Sequence, residues 1–93
     1  MEIERVSDRL FGRSCRLPLL FWILEHPKDR IYQSEPPESI AGRTAIRQEL
    51  ARLTEAGLLD EERPDGDARV YYVRTASPLW EVVRAAAVVV RDL

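Results

Sequence analysis

Cysteine is nearly absent. With Cys15 alone, no intramolecular disulfide can form, and nothing demands an oxidising compartment. Histidine is as scarce. His26 and Cys15 stand eleven positions apart on one expected helix, hence about 16 Å apart along it at the α-helical rise, too far to share a metal within one chain. No stretch approaches the roughly 20 apolar residues of a membrane span. The beginning, "MEIERVSDRLFG", is charged where a signal peptide is apolar, so a cytoplasmic location is expected. The sequence has no glycine-rich phosphate loop and no Ser-His-Asp or Cys-His set at workable positions, so neither an enzyme nor a cofactor is expected. "DEERPDGD" lacks the ligand periodicity and closing glutamate of a calcium loop and reads as a solvated turn. There are no repeats, low-complexity runs or linkers, and residues 1–93 are expected to form one domain.

Lysine is almost missing too. Lys28 is the single lysine among 14 basic residues, and all the others are arginine. Codon bias from a GC-rich genome accounts for that, and for the many Ala, Val and Leu. Arginine also forms bidentate contacts to phosphate and guanine that lysine cannot. The net charge of −2 does not announce a nucleic-acid binder, but the local field at a contact surface outweighs the total.

Along the chain, Ile3, Val6 and Leu10 have helical spacing up to Gly12. "SCRLPLLFWILEHP" predicts a helix beginning near Ser14, with Pro18 tolerated in its first turn and His26-Pro27 ending it. Leu17, Leu20, Phe21 and Leu24 should share its buried face. In "IYQSEPPESIAG", Ser34 is placed to cap a very short helix of about two turns. From Arg43 to Ala56, Ile46, Leu50 and Leu53 form an apolar stripe stopped by Gly57. Thr44, Arg47, Gln48, Ala51, Arg52 and Glu55 fall roughly opposite. Arg52 is expected to pair with Glu49, Glu55 or Glu62. Leu58 and Leu59 start a strand, "RPDGDA" is turn chemistry with Gly66 able to take a positive φ, and "RVYYV" returns.

Ser77-Pro78 predicts an N-cap followed by a helix over about 78–92. Glu81, Arg84, Arg91 and Asp92 gather on one side of it. Leu79, Val82, Val83, Val89, Val90 and Leu93 gather on the other, with Trp80 and Val88 near the charged edge. Apolar residues spilling around a terminal helix point to a second surface, most simply a symmetry mate; a wide stripe on a monomer is the alternative.

Helix, helix, short helix, long helix, hairpin, helix is the order of a winged helix. "LARLTEAGLLDEERPDGDARVYY" resembles the end of the recognition helix and the wing of ArsR- and MarR-like regulators, a helix ending Leu-x-x-Leu-x-x-x-Gly-Leu and a hairpin closing on a tyrosine. "LFGRSCRLPLLFWILEHP" is similar to their first helix. "SPLWEVVRA" resembles small winged-helix proteins associated with nucleotidyltransferases. The similarity covers roughly residues 10 to 85.

The resemblance implies an α+β, mostly helical winged helix-turn-helix domain with a recognition helix over 43–56, a wing over 58–74 and a C-terminal dimerisation helix. It implies a sequence-specific DNA-binding transcriptional regulator, a homodimer on double-stranded DNA. Arg47 would fork onto guanine and Gln48 onto adenine. Arg43, Thr44, Gln33 and Ser34 suit phosphates, and Arg69 on the wing adds a backbone contact. Leu79, Trp80, Val83 and Val90 are the expected dimer interface. The paired thiolates of the metal-sensing ArsR regulators are absent.

Several features pull the other way. Pro36-Pro37 replace helix formers, Gly42 stands where a Ser or Thr cap is common, and residues 60–69 carry a net −3 against +2 over residues 42–52. The alternative is a winged helix serving as a protein–protein interaction module without direct DNA binding. Cys15 reads as a small buried residue, and Trp22 and Trp80 as core or interface residues.

Overall fold

A computed structural model describes residues 2–91. Asp92 and Leu93, expected at the end of the last helix, lie outside the described residues. The fold is α+β, with four helices and one small three-stranded antiparallel sheet among the described residues. None of these helices is long and apolar enough to cross a membrane. The chain divides into two units, Met1–His26 with Pro78–Leu93, and Pro27–Ser77.

The first unit is helical. Helix α1 (Ile3–Phe11) ends at Gly12, whose φ of 84° is the left-handed conformation that glycine adopts without a Cβ penalty. Helix α2 (Arg16–Glu25) is apolar almost all round, which dictates burial on more than one face. Leu17, Leu20 and Phe21 are buried as expected, Leu19 and Ile23 are buried as well, and Leu24 is half-buried. Ser7 fastens α1 to the start of α2. Its fully buried hydroxyl accepts from the Leu17 N–H at 2.9 Å and donates to the Arg13 carbonyl. At the far end Pro27 bars helical backbone at His26, which is extended at ψ 133°.

Helix α4 (Leu79–Arg91) packs on α2. It starts one residue later than expected, with the Pro78 carbonyl accepting from the Glu81 N–H at 2.9 Å. Its rotation also corrects the sequence reading. The buried residues are Trp80, Val83 and Ala87, at i, i+3 and i+7. Trp80 and Val83, expected on a dimer surface, are instead part of the chain's own core. Of the four residues assigned to that surface, only Leu79 is exposed, and Val90 is half-buried. Arg91 explains part of this orientation: it pairs with Glu25 of α2, and its guanidinium lies 5.8 Å from the Phe21 ring centre.

The second unit carries the sheet. Strand β1 (Arg30–Tyr32) precedes helix α3 (Arg43–Glu55), which is followed by β2 (Leu59–Glu62) and β3 (Tyr71–Arg74). The strand order is β1-β3-β2, all antiparallel. Ile31 opposite Tyr72 and Leu59 opposite Arg74 place the apolar alternate residues on one face, where Ile31, Leu59 and Tyr72 are buried. Helix α3 packs on β2 with Ile46, Leu50 and Leu53 buried. Thr44, Arg47, Gln48, Ala51, Arg52 and Glu55 are exposed opposite them, as the stripe predicts. Arg52 pairs with the fully buried Glu49 at 3.0 Å. Gly57 and Gly66 take φ of 84° and 77° at the helix stop and the hairpin turn.

The short helix expected after Ser34 does not form. A residue before proline is disfavoured in the α region, which bars both Glu35 and Pro36 and leaves no room for two helical turns. Residues 30–32 pair as β1 instead, a turn follows with Glu35 N–H on the Tyr32 carbonyl at 3.0 Å, and a second turn closes from Ile40 N–H to the Pro37 carbonyl.

The orientation of α4 predicts two different mutational costs. Trp80→Ala should destabilise the chain by roughly 3–5 kcal/mol, the usual cost of emptying a buried aromatic site. Val88→Ala, on the exposed side, should fall within about 0.5 kcal/mol of wild type. Urea denaturation checks both, and equal losses would contradict the observed rotation.

Candidate functional site

A cleft of about 240 Å³ opens beside the N-terminal half of α3. Arg43 and Arg47 come from successive turns of that helix, and Arg69 from the approach to β3. Gln33 and Ser34 come from the turn after β1, and Tyr32, Ala68 and Val70 complete the lining. Five residues singled out as DNA contacts from sequence thus line one opening. Thr44 and Gln48, also singled out, are exposed on α3 outside it.

The backbone explains why these segments meet. Beyond the register Arg30–Val73, Ile31–Tyr72 and Tyr32–Tyr71, the Gln33 N–H donates to the Val70 carbonyl at 2.9 Å. This further bond carries the pairing past β1 and fixes Gln33 and Ser34 beside residues 68–70. The Gln33 amide also reaches the hydroxyl of buried Tyr72 at 3.4 Å. Burial, and then the Glu61 carboxylate, push the Tyr72 phenol above its usual pKa, so it stays neutral.

The three arginines are held differently. Arg43 lies 3.9 Å from Glu38, both side chains well exposed, so that contact is weak. Arg69 is buttressed. The Tyr71 hydroxyl first, and then the Asp67 carboxylate, raise its pKa further. Its guanidinium also lies 5.2 Å from the Tyr32 ring centre. Arg47 makes no ion pair among the described residues. At the start of α3, Gly42 provides no side-chain cap, so the N-cap residue does not satisfy the first N–H groups at the positive end of the helix dipole.

The acidity of the hairpin is partly spent within it. Glu61 pairs with Arg63 at 3.1 Å and Glu62 with Arg30 at 3.4 Å. Asp67 accepts the Arg69 N–H and the Tyr71 hydroxyl, each at 2.9 Å. Arg63 and Arg69 are already counted in the −3 of residues 60–69, so only Arg30, from outside that segment, lowers it, to −2; Asp60 and Asp65 make no ion pair among the described residues.

Tyr32 and Tyr71 were missed as site residues. They face each other across β1 and β3, edge to face with ring centres 6.4 Å apart, and Arg30 stacks 3.7 Å above Tyr71. The alternation of Arg30-Ile31-Tyr32 is the available signal for a strand, but Ser34 and the adjacent prolines also fit the first turn of a helix.

A second opening, of about 420 Å³, lies between α1 and α4 in the helical unit and is walled almost entirely by apolar atoms. Leu10, Phe11, Val82 and Val89 line it, with Val6, Val90 and two alanines. Leu10 is 75% exposed, Val82 56% and Val89 61%, so this face leaves large apolar side chains in water. No known protein family, curated protein or solved structure is detectably similar to this chain.

The Asp67 carboxyl is held below its usual pKa, first by the Arg69 N–H and then by the Tyr71 hydroxyl. A lowered carboxylate pKa means these bonds are in place above the ordinary aspartate range and are lost as pH falls through the lowered value. In a pH titration followed by NMR, the Arg69 amide should shift with a midpoint below that of a free aspartate. Tyr71→Phe should move the midpoint upward, and an unmoved midpoint would contradict the assigned bond.

Proposed function

We propose that this chain is a winged helix-turn-helix protein that binds double-stranded DNA as a homodimer and regulates transcription from a specific site. The observation that carries the reading is the cleft in which Arg43 and Arg47 of α3 meet Arg69 of the hairpin. In this reading α3 is the recognition helix, its exposed face entering a major groove about 12 Å wide, and the hairpin is the wing. The sheet order β1-β3-β2 with a helix packed on β2 supports it, as does the uncapped start of α3.

The apolar opening between α1 and α4 supports the homodimer. A 93-residue chain has little stability to spare, and covering Leu10, Val82 and Val89 with the same face of a second copy removes apolar surface from water on both. The dimer surface is then Leu10, Phe11, Val82 and Val89, with Leu79 and Val90 of the expected interface.

The unpaired Asp60 and Asp65 favour the rival reading, a winged helix that contacts a protein. Fluorescence anisotropy with random-sequence duplex DNA separates the two. Binding should weaken linearly in log–log salt, with a slope of about −0.9 per phosphate neutralised, and the double variant Arg43→Ala, Arg69→Ala should bind more weakly with a shallower slope. No binding at low salt would favour the protein-contact reading. In sedimentation equilibrium, wild type should be dimeric and Val89→Glu monomeric with its helix content kept; a monomeric wild type would refute the dimer.

A further inference from the structure

Helix α3 presents its polar residues in two places. Arg43 and Arg47 line the cleft, while Thr44 and Gln48 stand outside it, exposed and one turn apart on the same helix. We infer that Arg47 is a ligand for a backbone phosphate and does not read a base, and that selectivity for sequence rests on Thr44 and Gln48. This assignment rests on the DNA-binding reading above and reverses the guanine contact expected of Arg47.

The lining of the cleft supports a phosphate. Arg43, Arg47 and Arg69 share it with Gln33 and Ser34, and guanidinium, amide and hydroxyl donors suit phosphate oxygens. The position of Arg47 supports it too. It lines the cleft together with Ala68, Arg69 and Val70 of the hairpin, where a phosphate on a passing strand would meet arginines from both elements.

Charge gives the same assignment. Arg69 lies over the face of Tyr32 with the Asp67 carboxylate near it, and Arg43 has Glu38 nearby. Arg47 has no carboxylate partner among the described residues, so it carries the least neutralised charge of the three. Converging guanidiniums from two elements repel one another until an anion sits between them.

Thr44 and Gln48 have the opposite setting. Both project from the exposed face, and Ala51, one turn further on, is exposed and small, which lets a groove floor approach closely. Glutamine matches the paired donor and acceptor of adenine, and the threonine methyl suits the methyl of thymine.

The test selects preferred duplexes from a random pool with wild type, Arg47→Ala and Gln48→Ala, then measures affinity for the selected and a scrambled duplex across salt concentrations. Arg47→Ala should select the same sequence, lose affinity equally on both duplexes, and show a salt slope shallower by about one phosphate. Gln48→Ala should keep the slope and lower the selected-to-scrambled ratio roughly 5- to 150-fold, the usual weight of one bidentate base contact. Loss of preference on Arg47→Ala at unchanged slope would overturn the assignment, as would a wild type that binds without preference. A wild type that binds no duplex at low salt would overturn the DNA reading itself, a distinct result. Both residues are exposed, and thermal melts followed by circular dichroism confirm that the variants fold.

Discussion

The pairing of β1 with β3 is the constraint on which the candidate site depends. Three residues, Arg30–Tyr32, are held against Tyr71–Val73, and the further bond from Gln33 N–H to the Val70 carbonyl carries the chain one step past the strand. Remove that pairing and Gln33, Ser34 and Tyr32 no longer face residues 68–70. The cleft would lose one wall, and Arg43 and Arg47 would be two cations on an open helix. The prolines enforce the arrangement by exclusion. With Glu35 and Pro36 each preceding a proline, the segment cannot satisfy its backbone as a helix, so its hydrogen bonds go to the sheet and to local turns.

Short-range electrostatics then decide what the cleft offers. The hairpin is acidic by count, yet Glu61, Glu62 and Asp67 are engaged by Arg63, Arg30 and the Arg69–Tyr71 pair. Asp67 organises the turn by accepting from the Arg69 N–H and from the Tyr71 hydroxyl. A chain of net charge −2 nonetheless brings three arginines to one opening. The apolar opening between α1 and α4 is chemically its opposite. The proposed division of labour, pairing by the helical unit and DNA contact by the unit that carries the sheet, follows from that contrast.

Helix α3 and the hairpin were legible in the sequence because their signals are local. The Ile46–Leu50–Leu53 stripe has one period, Gly57 one role, and Pro64-Asp65-Gly66-Asp67 the chemistry of a turn. That Gln33, Ser34, Arg43, Arg47 and Arg69 share a cleft was not legible, since no spacing in the sequence joins residue 33 to residue 69. Strand β1 was not legible because its stabilisation comes from a partner about forty residues away. The rotation of α4 escaped for a different reason. In "LWEVVRAAAVVVR" apolar residues surround the helix, and a wheel with no single apolar face cannot say which side is buried. Trp80, placed at the charged edge, is 3% exposed: packing of the largest side chain outweighed the average of the valines. Ser7 gave no signal at all, because a serine that ties two helices together looks like any other serine.

The central claim is that the cleft shared by α3 and the hairpin is where DNA meets this chain. It is tested most directly by recording amide shifts in ¹H–¹⁵N NMR while duplex DNA is added at low salt. The account predicts the largest changes at Gln33, Ser34, Arg43, Arg47 and Arg69, fading as salt is raised. Changes confined to Leu10, Phe11, Val82 and Val89, or to Asp60 and Asp65, or no changes at all, would contradict it.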